Sequence, residues 1–193
     1  MKTEEQKTRE HGRHGNVLLG ACAGAAAGLV GSWAMVQFNH LIGPDSGQSD
    51  KPGDRHAHRR LDARPNDTDG TLPDEPGSIQ AARAVAEPFF GRQLTEQEKE
   101  IGGPLMHYLF GAGVSAMYGA VAEIDRSVTR MAGTAFGVTV WLIADEVGMH
   151  AAGFATQPTD YPVSRHAATL ASHIVFGLAV EGVRRLIRGQ PTD

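Results

Sequence analysis

Asp145 and Glu146 adjoin each other in a segment, 131–153, that is otherwise apolar enough to cross a bilayer. A carboxylate at the centre of such a helix costs roughly 2.5–3.5 kcal/mol, and less toward its edge. The pair is therefore expected at the rim of a membrane or beside polar partners from other helices. His107, His166 and His173 lie in other apolar segments and are the candidate partners, while His150 follows Glu146 by one helical turn. Carboxylates and imidazoles in an apolar setting suit a proton relay, a divalent-metal site or axial ligation of haem. They serve equally well as structural hydrogen bonds that fix helix register near Gly148. No HxxxH or HExxH spacing points to zinc, and no Walker loop, dinucleotide glycine motif or GxSxG elbow is present. Metal and cofactor are left unknown, and none is favoured.

Four segments are long enough to position these groups: 16–38, 103–124, 130–153 and 162–186. About 20 residues at 1.5 Å rise cover a hydrocarbon core of ~30 Å. Lys2, Lys7, Arg9 and Arg13 precede the first segment, Arg126 and Arg130 separate the second from the third, and Arg184, Arg185 and Arg188 close the fourth. An even number of crossings puts all three groups on one side, which the positive-inside bias makes cytoplasmic. Both termini are then cytoplasmic, with tails at 1–15 and 187–193, and the polar stretch 39–102 is external. On this topology His107 lies about 6 Å below the outer boundary, Asp145 and Glu146 about 10–12 Å and His173 about 15 Å, with His166 nearer the surface. The ionisable groups converge on the outer half of the bundle. Thr139, Glu146 and His150 share one stripe, which makes Glu146 the favoured member of the pair.

Small residues recur at the spacing that lets helices approach closely in lipid. Gly20, Gly24 and Gly28 line the first segment, Gly111, Ser115 and Gly119 the second, and Gly133 and Gly137 the third. They predict a compact bundle, with dimerisation through the first segment as the competing use.

The rest of the chain bounds the function. A net charge of −4 over 193 residues gives no reason to expect a nucleic-acid partner. A single cysteine, Cys22, excludes an intrachain disulfide, and the apolar run before it is too short for a lipoprotein signal. In the external stretch, 45–76 reads as weakly ordered and His56 and His58 as part of a solvated tract. Residues 78–87 read as a short amphipathic helix capped by Ser78 and stopped by Pro88, and Thr95-x-x-Glu98 matches a capping box. Glu123 and Glu181 read as interfacial anchors, Glu123 beside Arg126 and Glu181 beside Arg184 or Arg185.

Several strings carry a family resemblance: Gly103-Pro104-Leu105-Met106-His107-Tyr108-Leu109-Phe110-Gly111, Tyr118-Gly119, Phe136 to Glu146, Tyr161-Pro162, His166 and Ser172-His173. Over 94–188, with the glycine-rich first segment, the chain resembles the YagU-like group of small bacterial membrane proteins. The resemblance implies a bacterial cytoplasmic-membrane protein and carries over no activity, substrate or cofactor. Where members of that group have proline after the Asp-Glu string, this chain has His150.

The sequence thus predicts an all-α integral membrane bundle of four transmembrane helices, with an external loop that contains an amphipathic helix. A non-enzymatic, pH- or stress-responsive envelope component is preferred. A metal- or haem-binding membrane enzyme and a small oligomeric channel or transporter are the alternatives. The lipid bilayer and a second copy of the chain are the expected partners.

Overall fold

The computed structural model describes residues 4–42, 77–148, 151 and 163–189, without the side chains of 4–15 and Glu146. His150 and the stretch 43–76 lie outside the described residues. Those described form helices and turns, with no strand among them. They are α1 (Glu4–Ile42), α2 (Gly77–Phe90), α3 (Glu96–Ile124), a 3₁₀ turn (Arg126–Thr129), α4 (Thr134–Val140) continuing as a π-helix (Trp141–Gly148), and α5 (Val163–Arg188).

Three of these, at Asn16–Ile42, Glu96–Ile124 and Val163–Arg188, are long and apolar enough to cross a membrane. Their large apolar side chains point outward: Leu18, Leu29, Trp33, Met117 and Leu186 are all exposed. The centre is built from smaller or flatter groups, namely Ala27, Met35, Tyr118, Phe176 and Val180. Phe136 from α4 completes it, stacked on Tyr118 with ring centroids 4.3 Å apart. A soluble bundle of this size buries its large aliphatic residues, whereas this one presents them as a collar.

The small-residue motifs account for the closeness of the helices. A Cβ on Gly28 would stand 2.5 Å from the Gly111 carbonyl oxygen, and one on Gly20 2.5 Å from that of Gly119. Between them Gly24 lies against the Ser115 main chain. Residue numbers rise along α1 as they fall along α3, so the two helices are antiparallel. Gly133 and Gly137 meet Gly177 and His173 of α5 in the same manner. The α1 glycine face, a candidate dimer surface in the sequence, is thus taken up by α3 of the same chain.

Element boundaries depart from the sequence expectation in four places, the first being α1, which runs on to Ile42 and not to 38. The second apolar segment begins at Glu96, not at 103, because Thr95 and Glu98 form a reciprocal capping box and the helix continues through Pro104. α2 runs past Pro88, which forfeits one helical hydrogen bond near the end. It stops at Gly91 (φ 66), whose N–H reaches the Glu87 carbonyl. The third segment starts at Thr134, not at 130, because Ala132 (φ 49) and Gly133 (φ 84) are left-handed. α2 folds back along the start of α3: Ile79 packs on Gly103 and Ala82 on Gly102.

Candidate functional site

Polar side chains gather at two ends of the bundle. At one end the π-helix carries Asp145 toward α5. Its wider turns shift side chains out of α-helical register, and such segments recur at functional sites. Asp145 Oδ2 lies 3.8 Å from His173 Nδ1, and His173 is buried. The same nitrogen is 2.9 Å from the Thr169 carbonyl oxygen. A carbonyl only accepts, so Nδ1 carries a ring proton. At 3.8 Å Asp145 is beyond a direct hydrogen bond and within ion-pair distance of the ring.

Thr169 is the hub of this cluster. Its hydroxyl donates to the His166 carbonyl (3.1 Å) and accepts from Trp141 Nε1 (3.1 Å). Next along α5, Ser172 hydrogen-bonds the Asn39 side chain of α1 and the Ala168 carbonyl. His107 of α3 bonds the Ser32 main chain and has His173 within electrostatic range. Its Nε2 is buried with no hydrogen-bond partner among the described residues.

Of the predicted site residues, the structure therefore brings Asp145 and His173 together, with His107 nearby and His166 one helical turn along through Thr169. Glu146 sits on the π-helix, its side chain undescribed, and His150 is outside the described residues. Thr139, expected on the Glu146 stripe, is exposed and donates to the Ala135 carbonyl of its own helix. Among the described residues no group of three or more His, Cys, Asp or Glu side chains is arranged to hold a metal.

The opposite end holds a charge network that the sequence reading placed at the surface. Glu181 and Arg184 are each 1% exposed. Glu181 accepts from Arg184 Nε (2.7 Å) and Nη2 (3.0 Å), from Tyr118 of α3 (3.0 Å), and from Arg185. Arg185 also donates to the Thr129 carbonyl at 3.0 Å, which ties the 3₁₀ turn to α5. Glu123 takes Arg188 of α5 in a two-pronged pair (2.8 and 3.2 Å), correcting the expected pairing with Arg126. Helical spacing revealed the Glu181–Arg184 and Glu181–Arg185 pairs. Nothing local in sequence revealed Tyr118 or Arg188, which come from across the bundle.

Comparison with known families places a label on the second half of the chain. Residues 90–182 match the family described as protein of unknown function (DUF1440). That stretch holds His107, Asp145, Glu146, His166, His173 and Glu181, and so spans both polar ends of the bundle. No curated protein and no solved structure matches the chain.

Proposed function

We propose that this chain is a non-enzymatic integral protein of the bacterial cytoplasmic membrane, akin to the YagU-like group, that responds to proton activity through His173. The reading takes four crossings with both termini cytoplasmic, the fourth crossing being the α4 and π-helix segment. The observation that carries it is His173 itself. Its Nδ1 is committed to Thr169, and Asp145 from the π-helix stands 3.8 Å away. Asp145 on the π-helix and His107 on α3 are the titratable groups described around it. A change of charge at His173 alters the attraction for Asp145 and hence the seating of the π-helix against α5. The outward-facing apolar collar supports the membrane setting.

Trp141 is a built-in reporter, because its indole N–H bonds Thr169 beside His173. In a Trp33→Phe background it is the single tryptophan of the chain. The expected result is a sigmoidal change in Trp141 emission with pH, its midpoint moved by Asp145→Asn and abolished by His173→Gln. A pH-independent signal in the otherwise native protein overturns the proton reading. A Soret band or a stoichiometric metal in the purified protein overturns the non-enzymatic one.

A further inference from the structure

At the Glu181 end of the bundle, the side chains described include three carboxylates, Glu123, Asp125 and Glu181, and five arginines. Each carboxylate is engaged. Glu181 is enclosed by Tyr118, Arg184 and Arg185, and Glu123 by Arg188, with Arg184 Nη1 3.9 Å away. Asp125 accepts from the Ser127 N–H at 2.8 Å, with Arg130 near enough to act on its charge. Arg126 and Arg130 are both exposed and lie four residues apart on the turn that Arg185 clamps to α5. Directly beside this turn lies an exposed apolar collar: Ile124 (58%), Met131 (63%), Leu186 (82%) and Ile187 (53%).

We infer that this end binds anionic phospholipid, with Arg126 and Arg130 on the headgroup phosphate and the collar against the acyl chains. Guanidinium presents paired donors that match phosphate oxygens. A soluble phosphate would use the arginines and leave the collar unsatisfied, so the combination selects a lipid. The inference rests on the membrane reading proposed above, and the turn's fixed seat on α5 makes the site part of the fold.

The test is native mass spectrometry of the full-length protein in detergent, titrated with dioleoylphosphatidylglycerol or dioleoylphosphatidylcholine. Each cation near a lipid surface contributes about fivefold in affinity, so the wild type should prefer phosphatidylglycerol by about thirtyfold. Arg126→Gln or Arg130→Gln should leave about fivefold, and the double variant near parity. The double lysine variant should keep most of the preference, since charge is retained. Equal retention of the two lipids by the wild type, or a preference unchanged in the double glutamine variant, overturns the inference. Displacement of the lipid by inorganic phosphate also overturns it, in favour of a soluble-anion site. Flotation with phosphatidylcholine vesicles keeps the two readings apart. A protein that floats without lipid preference refutes only the lipid site, whereas one that fails to float refutes the membrane reading with it.

Discussion

Glu181 shows how much a single buried carboxylate can hold. Its four bonds to Tyr118, Arg184 and Arg185 join α3 to α5 and, through Arg185, fix the turn between α3 and α4. A buried ion pair recovers its desolvation cost only when each partner is saturated, and removing one partner strands the other. Glu181→Gln should therefore destabilise the protein by about 3–5 kcal/mol, because it takes from the buried guanidinium of Arg184 the carboxylate that accepts two of its bonds. The paired replacement Glu181→Met with Arg184→Met should recover most of that loss. Thermal unfolding in detergent measures both, and equal losses in the single and paired variants would refute the argument. Spacing along α5 made the ion pairs legible in sequence, but burial was not. Glu181 looked interfacial because three arginines follow it, and only α3 packing over it shows that the charges are enclosed. Asp145 is the reverse case. Its apolar setting suggested a partner from another helix, and His173 lies 3.8 Å from it, but which residue that would be was not legible because α5 is distant in sequence.

At the scale of elements, the glycine motifs make a quantitative claim. A side chain on Gly24 or Gly28 meets main-chain atoms of α3, which cannot yield without separating the helices. Gly24→Leu or Gly28→Leu should cost at least about 1–3 kcal/mol, the usual range for overpacking. Gly113 of α3 and Gly182 of α5 have nothing within 4 Å. Alanine there should be neutral or stabilising by up to about 1 kcal/mol, because it restores helix propensity without a clash. Similar melting shifts for Gly24→Leu and Gly113→Ala would contradict the packing scheme. The motifs gave the close faces in sequence, and they left open whether the partner was another copy or another part of the chain.

The α2–α3 hairpin offers a pH-dependent element outside the apolar core. Glu87 accepts from Arg83 Nε (2.9 Å) and the Leu94 N–H (3.1 Å), the two bonds that hold its carboxyl below the ordinary value of 4.5. A depressed carboxyl contributes stability above its unfolded value and loses it as pH falls through the folded one. The Leu94 amide should thus exchange slowly near neutral pH and lose protection below about pH 4.5, after correction for intrinsic exchange. Glu87→Gln should flatten that profile. A profile identical to wild type would show that the hairpin closes by apolar contact of Ile79 and Ala82 alone.

For the molecule as a whole, the contacts constrain how the chain must run. Glu123 near the end of α3 meets Arg188 at the end of α5, so these two helices point the same way. Asn39 near the end of α1 meets Ser172 near the start of α5, so α1 runs opposite to both. The chain between Thr129 and Val163 has to return along the bundle, and Gly133 and Gly137 pack antiparallel to α5 as it does so. Its described helix, 134–148, is at most about 22 Å long, short of the ~30 Å hydrocarbon core. A short span is accommodated by local thinning of the bilayer or by its flanking residues at modest cost. The return should therefore still be a full crossing. Reporter fusions after Ser46 and Ser127 should report opposite sides of the membrane, and fusions after Ser127 and Asp193 the same side. If Ser127 and the C-terminus report opposite sides, α3 and α5 cross in opposite directions, and the parallel pairing that rests on the Glu123–Arg188 contact is refuted along with the fourth crossing.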